Sequence, residues 1–409
     1  MKLLHVIGSM NPDTGGPCQM IRSFAPWFLA QGHLLEVVCL NDRTAPFLKH
    51  EPFPVHALGQ GRGGWNYSPG LTPWLKKHLR EFDAVILNGL WQFQGYSLWQ
   101  ASKSVTYAPP YFIFPHGMLD PWFQKMSVRP VKSARNWFVW KTIQHRIIRD
   151  AAGLLFTCEE ERRLARLPFS PYRPQREAVV GLGVPEPPAF ADRMKTAFLE
   201  KCPGVRGEKF FLFLGRIHPK KGVDLLIQGY ANLHKKNSSK NSLPKLVIAG
   251  PDLDSVYGRE LQALAAQMCP RDTVFWPGMI SGDAKWGALF GCEAFVLTSH
   301  QENFGIAVVE ALACGKPVLI SNQINIWREI EEDQAGLISD DTDAGANIIL
   351  REWKKLSPES RAAMQQSARK CFENRFGIAP ATRRLLAVID PPRAIACEAS
   401  LPKLNPTLP

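Results

Sequence analysis

Short apolar runs, set apart by polar glycine-bearing loops and by helix-length stretches of mixed character, recur along this chain from its first residues. Residues 3–8 (LLHVIG) lead into the loop 9–17 (SMNPDTGGP), a helical pattern through Trp27 and Phe28 to Gly32, and a second apolar run at 34–40 (LLEVVCL). Strand, loop, helix and strand in that order form the unit of a parallel sheet. Further short strands are predicted at 83–89, 111–117 and 153–158, and 126–150 reads as one long basic helix with three large aromatics among its cations. That helix suits a solvated face with an apolar stripe and a membrane surface equally well.

The proline-rich stretch 181–190 (GLGVPEPPAF) reads as a linker, after which the alternation resumes. Strands are predicted at 210–215, 245–250, 273–278, 293–299 and 317–321, with helices at 222–236, 257–268, 283–291 and 305–314 between them, a polar insertion at 237–244, and helices from 342 to 390. The expected fold class is α/β: two doubly wound parallel-sheet, Rossmann-like domains facing a central cleft, where loops after the strands carry the chemistry. The domains are drawn at 1–185 and 186–375, with a helix at 376–390 returning to the first and a tail at 391–409. A chain of 409 residues agrees with two cores rather than one.

Charge narrows the partners. The net charge is +12, of which the first 190 residues carry +8, so an anionic partner is expected: nucleic acid, a phosphate-bearing substrate or an anionic membrane. No nucleic-acid module is recognisable, which disfavours the first. No apolar run reaches membrane-spanning length and the N-terminus lacks signal-peptide character, so the expected location is cytoplasmic, peripheral at most on the membrane face. Nine scattered cysteines without a C-x-x-C pair argue against a zinc site and a disulfide framework.

Candidate chemistry concentrates in 299–319 (SHQENFGIAVVEALACGKPVL), where Glu302 and Glu310 flank Gly305. A helix starting near Ile306 offers free N–H groups and a positive dipole end, fit for a phosphate. Carboxylates beside a phosphate should face its neutral neighbours, and an ionised carboxylate accepts from two adjacent sugar hydroxyls. The stretch therefore reads as a nucleotide-sugar clamp, against the alternative of two unrelated acids near a helix start. In 215–222 (GRIHPKKG), Arg216 and Lys221 follow another strand end and suit a diphosphate.

Three elements, G-R-x(3)-K-K-G at 215–222, E-N-F-G-I-A-x-x-E at 302–310 and A-x-G-x-P-V at 313–318, resemble the nucleotide-binding domain of retaining glycosyltransferases of family 4, with the GT-B fold. The first half resembles that family more loosely, through TGGP at 14–17 and PHGMLDPW at 115–122. The resemblance implies that Glu302 binds hydroxyls of the donor sugar and Glu310 those of the ribose. Arg216 and Lys221 would hold the diphosphate with backbone N–H groups of Phe304, Gly305 and Ile306, and Asn303 falls within the same donor-binding element. His116 would face the donor sugar, and Gly15 and Gly16 would let the first loop approach the diphosphate and acceptor. One departure is Leu182-Gly183-Val184, where many relatives have Asn-Gly-Val.

The implied reaction moves a sugar from a nucleoside diphosphate, UDP- or GDP-linked, to an acceptor hydroxyl with retention of configuration and without a cofactor. No D-x-D-type acidic pair is placed to hold a metal, and no carboxylate of the first half stands out as a nucleophile. The expected catalytic set is His116, Arg216, Lys221 and Glu302. The acceptor would be a glycan or a polyprenyl-diphosphate-linked glycan, in cell-surface polysaccharide synthesis, with peripheral contact to an anionic membrane. Alternatives are a nucleotide-sugar epimerase on the same fold, a glycosidase using Glu302 and Glu310, and a basic binding protein without catalysis.

Overall fold

The computed structural model describes residues 1–124, 130–235 and 243–390. The first seven strands are β1 (Lys2–Ile7), β2 (Leu34–Cys39), β3 (Val55–Ala57), β4 (Ala84–Asn88), β5 (Tyr111–Phe114), β6 (Gly153–Phe156) and β7 (Glu177–Val179). They pair in parallel in the order β3-β2-β1-β4-β5-β6-β7. Six more, β8 (Phe210–Leu214), β9 (Lys245–Ala249), β10 (Val274–Gly278), β11 (Ala294–Leu297), β12 (Val318–Ser321) and β13 (Gly336–Ser339), form a second parallel sheet in the order β10-β9-β8-β11-β12-β13. The central strands are covered on both faces, so their side chains are mostly apolar without alternation, as in β4, where every residue is buried and only Asn88 is polar.

The three strands that the apolar pattern missed, β3, β7 and β13, are the ones it could not show. Each is a half-buried edge strand with a single neighbour. Such strands need no continuous apolar run.

The segment expected as one helix over 126–150 is divided. A helix at Pro130–Val139 passes through a π-helical turn at Trp140–Gln144 into His145–Asp150, while 125–129 lie outside the described residues. Trp137 and Phe138 are exposed, whereas Trp140 is fully buried, stacked 4.6 Å from Phe169 and donating its indole N–H to the Pro171 carbonyl at 3.1 Å. Residues 237–242 of the expected insertion 237–244 and the tail from 391 also lie outside the described residues.

The chain passes between the sheets twice, and the two passes touch. Val184, in the predicted linker, donates its N–H to Phe376 and accepts from Ile378 at 2.9 and 3.0 Å. The helix Ile378–Ile389 then packs on the helix Gly16–Ala30 of the first domain. Gly183 makes this possible: its φ is +67° and a Cβ there would stand 2.8 Å from Ile378 and 3.2 Å from Phe24. One apolar core consequently runs from Phe24 and Phe28 through Val184 and Leu385 into the second domain. The eight described cysteines are all free.

In both sheets the strand order reverses at the centre, between β1 and β4 and between β8 and β11. Ligands of such sheets bind outside the carboxyl ends of the strands at these reversal points. The loops emerging there are 8–17, 89–92, 215–222 and 298–305.

Candidate functional site

The loop 300–305 is held extended by pairing with the segment after β12. Glu302 donates its N–H to Gln323 and accepts from Asn325, both at 2.9 Å. Gly305 then adopts the left-handed conformation (φ 76°, ψ 65°) and caps the helix Ile306–Ala313, with its carbonyl accepting from Val308 and Val309. A residue with a Cβ would be strained there. The predicted helix start is thus present, with Glu302 in the loop before it and Glu310 one turn beyond.

Each of these carboxylates has its own lysine. Lys221 forms an ion pair with Glu302, and Lys285 lies 2.7 Å from Glu310 while its ammonium also sits 4.5 Å from the centre of the Trp286 ring. All four side chains are at least three-quarters buried. The sequence reading gave Lys221 to a diphosphate and Glu302 to a sugar; the fold joins them directly. Lys285, on the helix Gly282–Gly291, escaped that reading, because no spacing links it to Glu310 before the sheet is folded.

The loop 215–222 reaches the same place because of its last glycine. Gly222 has φ 60°, and a Cβ there would lie 2.1 Å from the Thr298 carbonyl, while the Thr298 hydroxyl donates to the Gly222 carbonyl at 2.6 Å. Lys221 is thereby fixed beside the end of β11. Arg216 follows β8 directly and is exposed. Lys220 turns toward the first domain, with its ammonium 5.4 Å from the Trp122 ring centre, and burial lowers its pKa.

His116 stands at the end of β5 with a positive φ of 52°, stacked 4.6 Å from Phe114 with the rings nearly parallel. Its Nε2 is 3.1 Å from Oδ1 of Asn88, whose Nδ2 is 3.1 Å from Nδ1 of the buried His5. An amide nitrogen only donates and an amide oxygen only accepts, so His116 carries its proton on Nε2 and has Nδ1 as its acceptor. Burial, reinforced by the neighbouring His5, pushes the pKa of His116 down to about 3. The sequence offered no reason to single out Asn88, which orients His116 from the neighbouring strand.

Next to it, Gly117 donates its N–H to Glu161, which also accepts from the N–H and hydroxyl of Thr157. Glu161 is buried and burial raises its pKa, yet it belongs to no pattern visible in the sequence.

Asn303 does not stand free at the helix start. Its side chain lies against Gly117 and 3.4 Å from the Thr157 hydroxyl, across the domain boundary. Phe304 is buried with its ring edge-on to Phe376. Gln301 donates to Asp120 at 2.9 Å, and Arg328 pairs with Glu160 at 3.1 Å. These contacts bring the loop carrying His116 against the loop carrying Glu302. Gly15 and Gly16 lie elsewhere on the rim, where Gly15 (φ 95°) starts the helix Gly16–Ala30 and both have open space around them.

A cleft of about 790 Å³ opens at the carboxyl ends of β1 to β4, walled by the loops after them and by Met118. The adjoining cavity of about 400 Å³ includes His116 and Trp91.

Comparison with known proteins agrees with this geometry. The family model "Glycosyl transferases group 1" matches residues 196–371, and "Glycosyl transferase 4-like domain" matches residues 15–183. A D-inositol 3-phosphate glycosyltransferase of Acidothermus cellulolyticus is 28% identical over 159 residues, 38% of this chain and 35% of that protein. A mannosylfructose-phosphate synthase of Agrobacterium fabrum is 27% identical over 138 residues, 33% of this chain and 30% of that protein. The matched stretch thus spans about a third of the length of these two relatives. Among solved structures, a glycosyltransferase from Rickettsia africae superposes with a TM-score of 0.73 at 14% identity, covering 95% of this chain and 97% of that one. Alr3699/HepE of Anabaena, in complex with UDP and glucose, superposes with a TM-score of 0.70 at 17% identity, covering 95% and 99%. With both halves matched by such models, separated only by residues 184–195, the chain belongs to the GT-B glycosyltransferases of family 4.

Proposed function

We propose that the protein transfers a sugar from a nucleoside diphosphate to a hydroxyl of a glycan or lipid-linked acceptor, with retention of configuration. The observation that carries this reading is the arrangement of Glu302 and Glu310 on either side of the Gly305 helix start, each beside a lysine. The spacing suits one ligand with hydroxyls at both ends and negative charge between. The diphosphate would lie on the helix start, near Arg216 and Lys221, with the donor sugar at Glu302 and the ribose at Glu310. The UDP held by the Anabaena protein supports UDP as the carrier.

In the reaction the bond from the anomeric carbon to the phosphate oxygen breaks, a bond to the acceptor oxygen forms, and the acceptor proton passes to the departing phosphate oxygen. Charge accumulates on that phosphate, so cations and N–H dipoles fixed beforehand lower the barrier. Lys221 would share its donors between Glu302 and the diphosphate. His116, neutral at ordinary pH, would orient a hydroxyl of the donor sugar by accepting at Nδ1 rather than act as an acid. In this reading the chain's own groups suffice without a metal.

We place the reaction in cell-surface polysaccharide synthesis on the cytoplasmic side. Peripheral contact with an anionic membrane is supported by the exposed Trp137 and Phe138, with Lys141 5.8 Å from the Trp137 ring. No helix among the described residues is long and apolar enough to cross a membrane.

The test is calorimetric binding of UDP, GDP and their sugars, followed by product analysis with and without acceptor. Nucleotide binding with acceptor-dependent sugar transfer supports the proposal. Epimerised or free sugar released without any acceptor, or no nucleotide binding at all, overturns it.

A further inference from the structure

A further cavity, of about 350 Å³, lies between the two domains and shares no lining residue with the cleft above β1 to β4 or the cavity beside it. Its walls follow β5 and β6 in the first sheet and β11 and β12 in the second, so it is displaced from the two reversal points toward the edge strands β7 and β13. None of His116, Arg216, Lys221, Glu302 and Glu310 lines it. Its volume falls within the range of small-molecule pockets, about 300–1,000 Å³.

The charges of this cavity are unequally exposed. Arg163, on the helix Glu159–Ala165, donates from Nε and Nη2 to Glu160, and Arg328 of the second domain donates from Nε to the same carboxylate at 3.1 Å. Two guanidinium groups thus share one acid. The Glu160 side chain is 9% exposed, whereas those of Arg163 and Arg328 are 56% and 45% exposed. The other carboxylate, Asp120, is 6% exposed and already accepts the Trp122 N–H at 2.8 Å and Nε2 of Gln301 at 2.9 Å. A ligand entering the cavity therefore meets the cations ahead of the acids.

Those cations have donors to spare. Among the described residues, Nη1 of Arg163 and both Nη atoms of Arg328 make no hydrogen bond, and the Arg328 guanidinium is steadied 4.2 Å from the centre of the Trp327 ring. Guanidinium donors of this kind match the oxygens of a carboxylate or a phosphate. Acceptors stand in the same lining. Gln323 is exposed and donates Nε2 to Asn322 at 2.8 Å, which leaves its Oε1 to accept. Gln301 is 4% exposed, its Nε2 is given to Asp120, and its Oε1 has no partner among the described residues. A buried acceptor left unpaired is costly, and a hydroxyl that donates to it removes that cost.

We infer that this cavity binds a small anion that also carries hydroxyls, a sugar phosphate or a hydroxycarboxylate, with the anionic group on Arg163 and Arg328 and the hydroxyls on Gln301 and Gln323. Arg163 belongs to the first domain and the other three residues to the second, so the ligand holds both domains at once. A ligand that needs both domains favours the arrangement in which they meet, to the extent of its differential affinity for that arrangement. The cavity is thus an effector site, set apart from the groups assigned to sugar transfer. Binding there does not rest on the transferase reading.

The experiment titrates the full-length protein by calorimetry with glucose 6-phosphate and with citrate, and with inorganic phosphate and methyl glucoside as the separate halves of that chemistry. The variants are Arg328→Ala and Gln323→Ala, with Arg135→Ala as the control, because Arg135 lines the cavity beside His116. The Gln323 side chain bonds only to Asn322 among the described residues, so an effect of its loss does not come from loosening the Arg328–Glu160 pair. At least one of the two hydroxylated anions should bind more tightly than inorganic phosphate or methyl glucoside, and should do so roughly tenfold more weakly in Arg328→Ala and roughly threefold more weakly in Gln323→Ala. Arg135→Ala should leave it unchanged. Preference for glucose 6-phosphate identifies a sugar phosphate, and preference for citrate a hydroxycarboxylate. Neither anion bound, affinity that follows Arg135 instead of Arg328 and Gln323, or inorganic phosphate bound as tightly as the larger anions would overturn the inference. Binding of the anion by a protein that takes no UDP would sink the transferase reading and leave this site in place.

Discussion

A Cβ on Gly117 would stand 2.7 Å from Cγ of Asn303, so the loop after β5 in one domain and the loop before the Ile306–Ala313 helix in the other meet at a point where only glycine fits. Gly117 also has φ 77° and donates its N–H to the buried Glu161. The contact sets the distance between His116 on one side and Glu302 on the other.

Gly117→Ala should therefore disturb both stability and closure. The positive φ costs about 1–2 kcal/mol for an L-residue and overpacking costs about 1–3 kcal/mol. A lower Tm is expected, together with a larger radius of gyration by small-angle scattering. Wild-type values for both would show that the contact is easily relaxed.

Glu310→Ala should weaken nucleotide binding roughly ten- to a hundredfold, the range expected when a charge-assisted hydrogen bond worth about 1.5–3 kcal/mol is lost. Lys285→Ala should have a smaller effect of the same sign, since it releases Glu310 without removing it. Calorimetric titration of UDP and GDP measures both. Unchanged affinity in Glu310→Ala would assign the Lys285 pair to structure alone.

Arg216→Ala and Lys221→Ala should lower kcat by about 10²–10³, comparable to removing one preorganised donor from a developing anion. Arg216 is exposed, so its loss should leave thermal unfolding nearly unchanged. Lys221→Ala also leaves Glu302 unpaired and should lose some stability. Steady-state kinetics beside a thermal melt separates these outcomes. Equal losses in melt and turnover for Arg216→Ala would mark a structural residue.

His5 and His116 both have pKa values pushed down to about 3 by burial, from an ordinary 6.5. Between those values the unfolded chain binds more protons than the folded one, so stability is complete above about pH 6.5 and falls as pH drops toward 3. His116 should remain neutral by NMR down to pH 5, and kcat should show no acid limb from this group near 6.5. An imidazole titrating near 6.5 at either position would contradict the burial that sets the His5–Asn88–His116 chain.

The sequence by itself determined the two parallel sheets and most of their strands, because central strands buried on both faces must be apolar along most of their length, and it determined the glycine-bearing loops at their ends. Glu302, Gly305 and Glu310 were legible for the same reason: they lie within one local turn of chain, where spacing is geometry. Only the tertiary structure decided what faces these residues. Lys285 meets Glu310, Asn88 orients His116 and Asn303 settles on Gly117 through contacts between segments far apart in the chain, and no local period encodes them. Charge divides in the same way. The composition set the sign and size of the first domain's charge, but folding paired Arg22, Arg149, Arg163 and Arg166 with acids and left, among the described residues, a cleft with seven amide side chains in its lining, because a side chain's partner depends on the surface it shares rather than on its place in the sequence.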